Sequence, residues 1–118
     1  MPKNSICYVE WYSTDLNRTR KFLSGLFRWK FKVSTRDYWM FFPPSGIGGG
    51  IQKVPRVRAG KSPLVYVLVD RIGPHLKKAP SLGGAVAVPR TEIPTYGWFA
   101  LLKDPDGNIV GLFENRRR

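Results

Sequence analysis

Polar and apolar positions alternate in short blocks along this chain, and most blocks end on a turn signal. Over residues 6–12 the period is two: Ile6, Tyr8, Glu10 and Tyr12 fall on one face of a strand, and Cys7, Val9 and Trp11 on the other. The period then lengthens. Leu16, Thr19, Leu23 and Leu26 recur at helical spacing with Phe22 beside them, while Asn17, Arg18 and Lys21 face outward. Thr14 or Asp15 supplies the N-cap and Gly25 the stop. Residues 27–33 return to period two, with Phe27, Trp29, Phe31 and Val33 apolar and Arg28, Lys30 and Lys32 basic, a pattern suited to a sheet edge. Tyr38–Phe42 is a third strand, ended by Pro43 and Pro44. Residues 46–54 form a fourth, in which Gly48, Gly49 and Gly50 predict a bulge or a close approach of backbones.

The same order then repeats. A polar connector over 55–62 leads to a strand at 64–69, a helix cap at Asp70, and a helical face of Ile72, Leu76, Ala79 and Leu82 that Pro80 cuts short. A strand at 85–88 follows, then a loop over 89–96, then a hairpin. In the hairpin Trp98, Ala100 and Leu102 alternate with Phe99, Leu101 and Lys103. Asp104, Pro105 and Gly107 stand where a tight turn wants them, and Asn108 opens the apolar return strand. Asp15 and Asp70, Phe31 and Val86, and Val33 and Val88 share a separation of 55. The reading is one α+β domain over 1–118, built of two strand-helix-strand-strand-strand modules at 5–54 and 63–115. A half-sheet needs a cover for the face its helix does not occupy. Two of them curling together make a cupped mixed sheet with a pocket in its hollow.

Composition narrows the class. A hydrophobic share of 42%, with 14% aromatic, belongs to a folded chain. The single cysteine excludes an internal disulfide, and Cys7 reads as a small core residue. No apolar run approaches the roughly 20 residues of a membrane helix, and no leader is visible, so a cytoplasmic protein without a membrane partner is expected. Twenty Lys and Arg against eight Asp and Glu give a formal charge of +12. Such a charge attracts anionic partners through counterion release, and it also serves solubility; the sequence leaves both open.

Two segments carry a resemblance. Tyr8-Val9-Glu10-Trp11-Tyr12-Ser13-Thr14-Asp15-Leu16, followed by a short helix and Gly25-Leu26-Phe27-Arg28-Trp29, is similar to the opening of the vicinal oxygen chelate superfamily. The hairpin with Asp104-Pro105-Asp106-Gly107-Asn108 and an apolar strand ending in Glu114 resembles its last hairpin. That superfamily includes glyoxalase I, bleomycin- and fosfomycin-resistance proteins and extradiol dioxygenases. The resemblance implies two βαβββ modules around a cup, a small-molecule ligand and a homodimer. Its metal enzymes draw ligands from the first and last strands of each module. The mapped positions here are Tyr8, Tyr66, Gly111 and residues 48–51, none of them His, Asp or Glu. No metal and no other cofactor is therefore expected, nor a metal-dependent reaction. His75, the one histidine, reads as surface.

Glu10 lies mid-strand on the cup face. A carboxylate buried there needs a partner or a proton, so Glu10 is either a ligand-binding acid or general base, or the partner of a nearby arginine. Glu114 reads as a surface partner of the terminal arginines. Tyr8, Tyr12, Trp39, Phe41, Tyr66, Tyr96 and Trp98 are the expected ligand-binding wall, with Tyr96 and Trp98 flanking Gly97 at its mouth. The function expected first is metal-free binding of an aromatic or anionic organic molecule. It is similar to that of the resistance proteins, whose acidic character this basic chain does not share. Two alternatives stay open: a lyase-, isomerase- or dioxygenase-like enzyme using Glu10 as base, and a polyanion- or nucleic-acid-binding module using Arg28, Lys30, Lys32, Arg116, Arg117 and Arg118.

Overall fold

A computed structural model describes residues 2–58 and 62–116. The chain divides into two compact units. One spans Tyr8–Leu64; the other begins at Val65 and takes in the N-terminal residues through Cys7. Both follow the same plan.

The first module runs β1 (Ile6–Ser13), α1 (Leu16–Phe27), β2 (Lys30–Thr35), β3 (Tyr38–Phe42) and β4 (Gly49–Lys53). Its strands lie in the order β2-β3-β4-β1. The β4–β1 pair is parallel and the other two are antiparallel. Asp15 caps α1 from an extended backbone, its carboxylate accepting from the Arg18 N–H at 3.1 Å. The helix does not stop at Gly25. It runs on to Phe27 and ends at Arg28, which takes the left-handed conformation (φ 60°, ψ 28°) and donates its N–H to Ser24 O. Because the helix claims Phe27, β2 starts only at Lys30. Leu16, Leu23, Phe41 and Ile51 form the core beneath α1, with Val9, Trp11, Trp29, Phe31 and Trp39 packed around them. Trp29 stacks on Phe41 at 4.9 Å between centroids, and Trp11 meets both rings edge-on. The predicted close approach is at Gly49, where a Cβ would stand 1.7 Å from Val9 O.

The second module runs β5 (Leu64–Leu68), α2 (Ile72–Lys78), a 3₁₀ turn (Ala79–Leu82), β6 (Ala85–Ile93), β7 (Gly97–Lys103) and β8 (Ile109–Asn115). Its order is β6-β7-β8-β5, with β5 and β8 parallel. Val69, Ile72, Ala100 and Leu112 make the core under α2, joined by Val67, Leu76, Trp98 and Leu102. The hairpin turn forms as read. The Asp104 carboxylate accepts from the Asp106 and Asn108 N–H groups and from Asn108 Nδ2, and these bonds, Asn108's first, hold it below the usual carboxylate range. Gly107 takes φ 87°.

Two expectations change here, and the one for Pro80 holds. The residue that caps α2 is Arg71, not Asp70, and it offers no side-chain bond. The loop expected over 89–96 is mostly strand, because β6 continues through Pro89 to Ile93. As the outer strand of its half-sheet it tolerates a proline, and its register to β7 slips between Val88 and Thr91. The 3₁₀ turn places Pro80 in its first turn, so the α-helix ends before it. Of the connector over 55–62, residues 59–61 lie outside the described residues. No helix among the described residues is long and apolar enough to cross a membrane.

Candidate functional site

Alternation along β1 decides what the first module shows on the face away from α1. Val9 and Trp11 pack beneath the helix, so Tyr8, Glu10 and Tyr12 point the other way. Strand register then selects their neighbours. Glu10 stands opposite Gly50 and Tyr12 opposite Gln52; across the next pair, Tyr38 stands opposite Gln52 and Met40 opposite Gly50. With no side chain at Gly50, the Tyr38 ring lies across that position: a Cβ there would sit 2.0 Å from Tyr38 Oη. Tyr38 Oη donates to Glu10 Oε2 at 3.0 Å and shares a short hydrogen bond with Tyr8 Oη. The Tyr12 hydroxyl bonds Glu10 as well. All four side chains are half-buried.

The electrostatics follow from that burial. Desolvation pushes the Glu10 carboxyl above the usual range, and the bonds from Tyr38 and Tyr12 pull it only part of the way back. Burial first, and the neighbouring Glu10 charge second, push the Tyr12 and Tyr38 phenols up, so both keep their protons at neutral pH. The result is a carboxyl that gains a proton easily, ringed by hydroxyls that remain donors. Such a cluster can take a proton from, or accept a hydrogen bond from, an O–H or N–H brought to this face.

Two first-module residues expected in the wall lie elsewhere. Trp39 and Phe41 share the face of Ile51 and pack beneath α1, and Phe41 is 2% exposed. The register shows why: Phe31 stands opposite Phe41 and Val33 opposite Trp39, so the aromatic face of β2 continues into β3 on the helix side. Tyr38 takes their place and was not singled out in the sequence. Tyr-Trp-Met-Phe-Phe is apolar at every position, so alternation assigns no face to it; the only sign was the glycine run opposite, which leaves room for a ring.

The second module repeats half of this arrangement. Tyr66 stands opposite Gly111, and a Cβ on Gly111 would meet the Tyr66 ring at 2.4 Å. Val67 and Val69 pack under α2, so Tyr66 faces away from it, in the place that Glu10 holds in the first module. Trp98 does not join it. It packs on the α2 side, where the guanidinium groups of Arg90 and Arg116 lie 4.2 and 4.6 Å from its ring centroid. Tyr96 is 67% exposed in the turn before β7. Glu114 is not a surface residue: it is 5% exposed. Its carboxylate accepts from Arg90 at 3.1 and 3.3 Å and from the Ile72 N–H at 2.9 Å, which supplies the cap that Arg71 lacks. Arg116 pairs with Glu92 at 2.7 Å, while Arg117 and Arg118 lie outside the described residues. His75 sits within α2, with Nδ1 2.7 Å from Arg71 O. Burial raises the Cys7 thiol, the reverse of what a reactive thiolate needs.

The donor set at the mapped metal positions does not fit a divalent ion. Tyr8 offers a phenol held in a hydrogen bond, Tyr66 a phenol, and Gly111 and the glycines of β4 no side chain at all. Among the described residues no three His, Cys, Asp or Glu side chains converge.

No known family profile matches the sequence, and neither does any curated protein. Solved structures do match in fold. A glyoxalase/bleomycin resistance protein/dioxygenase superfamily member from Vibrio splendidus superposes with a TM-score of 0.71 at 14% identity, over 93% of this chain and 97% of that one. Methylmalonyl-CoA epimerase from Mycobacterium tuberculosis gives 0.66 at 11%, over 99% and 94%. The Mn(II)-bound glyoxalase from Novosphingobium aromaticivorans gives 0.68 at 14%, over 98% of this chain but 42% of the longer protein. The two βαβββ modules and these superpositions together give the chain the α+β fold of the glyoxalase/bleomycin-resistance/dioxygenase, or vicinal oxygen chelate, superfamily.

Proposed function

We propose that this protein binds a small organic molecule, without a metal, on the face of the first module that carries Tyr8, Glu10, Tyr12 and Tyr38. One observation carries the reading: a half-buried carboxyl tied to the hydroxyls of Tyr38 and Tyr12 on the sheet face opposite the helix. Such a group is costly to maintain for stability alone. The ligand class is a planar, aromatic or anionic molecule bearing a hydroxyl or amide. Its ring rests on Met40 and the tyrosine rings, its donor meets Glu10, and the net charge of +12 favours an acidic substituent. Tyr66 holds the matching position within the second module, whereas Trp39 and Phe41 support the first module's strands, and Trp98 the second's, from their own helix sides. The reading includes a homodimer, as in the superfamily; sedimentation of a monomer at micromolar concentration would remove that part.

The test is a chemical-shift titration with three fragment sets: hydroxylated aromatic carboxylates, aromatic amines and neutral phenols. Amides of Tyr8, Glu10, Tyr12, Tyr38 and Gln52 are expected to move with the carboxylates, and the Glu10→Gln and Tyr38→Phe variants to bind several-fold more weakly. Fragments that move only the exposed Tyr96 region, or none that bind at millimolar concentration, would overturn the proposal.

A second reading has its own support. The raised carboxyl of Glu10, with two phenols as proton-holding neighbours, is poised as a general base for removing a proton next to a carbonyl. Glu10→Gln would then abolish turnover while leaving binding within a few-fold. Equal loss of both would return Glu10 to the binding role alone.

A further inference from the structure

The other side of the first module holds a groove that the candidate site does not use. It has a volume of about 420 Å³ and is lined by Arg20, Ser24, Arg28, Trp29, Lys30 and Phe31. Three of the six carry positive charge and none is acidic. Among the described residues Arg20, Arg28 and Lys30 form no salt bridge, although Arg36, Arg90 and Arg116 all do. Cations gathered in one groove repel one another unless an anion joins them.

The local backbone points the same way. Arg28 ends α1 in the left-handed region at φ 60°, where glycine is the favoured residue and a side chain costs energy. The chain thus keeps a guanidinium at a position that helix geometry alone would give to glycine. Trp29 and Phe31 complete the lining. Trp29 is held rigid by its stack on Phe41 and its contact with Phe27, so the aromatic wall is fixed before anything binds.

We infer that this groove binds a nucleotide unit, with a phosphate between Arg20, Arg28 and Lys30 and a base against the Trp29 and Phe31 wall. Phosphate contacts of this kind come from arginine forks, and aromatic walls accept any base face. The same chemistry occurs in a free mononucleotide and in single-stranded nucleic acid, and the experiment separates the two.

Fluorescence anisotropy with a labelled oligothymidylate is measured beside competition by thymidine monophosphate and by inorganic phosphate. With one phosphate neutralised, affinity for the strand is expected to fall about threefold between 50 and 200 mM salt. Arg20→Gln and Arg28→Gly are expected each to weaken binding several-fold. Arg28→Gly should hold or raise the melting temperature, because it relieves the left-handed residue, so lost binding cannot be ascribed to unfolding. Arg36→Gln removes the same charge from a side chain that is 92% exposed outside the groove, and should bind as the parent does. Competition by the monophosphate in the range of the strand's own affinity assigns the site to free nucleotides. Competition a hundred-fold weaker assigns it to single strands. Three results would overturn the inference: inorganic phosphate competing as well as the monophosphate, Arg36→Gln weakening binding as much as Arg20→Gln, or capture by anionic lipid vesicles with no oligothymidylate binding.

Discussion

Glu114 offers the sharpest test of how the second module is held together. Its carboxylate accepts both from the Arg90 guanidinium, at 3.1 and 3.3 Å, and from the first N–H of α2, at 2.9 Å. Glu114→Gln keeps an oxygen for the Ile72 N–H and removes the charge. Arg90 is 41% exposed, so water recovers part of what it loses, and the cost is about 1–2 kcal/mol, below that of a fully buried pair. Glu114→Ala also removes the cap, which leaves an N–H without a partner on a residue that is 0% exposed, at about 2 kcal/mol. The sum is about 3–4 kcal/mol. In a chain of this length each kcal/mol moves the melting temperature by about 4 °C. Thermal unfolding followed by circular dichroism should therefore place the glutamine variant about 4–8 °C below the parent and the alanine variant about 12–16 °C below. Two variants melting together would show that the cap bond contributes nothing, and a glutamine variant melting with the parent would show the same for the arginine pair.

Other substitutions probe the first module. Burial raises the Glu10 carboxyl, so its contribution to stability is complete below the ordinary glutamate range near pH 4.3 and is lost as pH rises through the folded-state value. Glu10→Gln escapes that loss, so its melting temperature should gain on the parent's between pH 4 and 8; a constant gap refutes the burial argument. Gly50→Ala places a methyl 2.0 Å from Tyr38 Oη, and should cost about 1–3 kcal/mol and detach Tyr38 from Glu10. Urea unfolding together with the Glu10 carboxyl resonance reads both effects, and an unchanged resonance refutes the packing. Gly25→Ala meets nothing within 4 Å and lies inside α1, so it should stabilise by up to about 1 kcal/mol; a loss of stability would mean that the helix ends where the glycine stands.

Much of this architecture was already legible in the residue order. Side-chain period is a local property, so alternation along β1 and β7 and the helical spacing of Leu16 and Leu23 placed those elements, although Phe22 and Leu26, read with that helix face, are exposed and Trp98 of β7 turns to the helix rather than to the expected wall. Turn chemistry is local too, which is why the Asp104–Asn108 hairpin and the Asp15 cap formed as read. The cluster around Glu10 was half visible, since Tyr8, Glu10 and Tyr12 share one strand and one parity. Pairing decided the rest. Nothing in Tyr38-Trp39-Met40-Phe41-Phe42 says which residues face the helix; that came from which β4 residue each one met, and it exchanged Trp39 and Phe41 for Tyr38. Glu114 changed from a surface acid to a buried clamp because β8 carries it to the start of α2, a contact spanning more than forty residues of chain. Local rules fix which side of its own element a residue takes, whereas the partner it meets there depends on strand register, which only the folded chain sets.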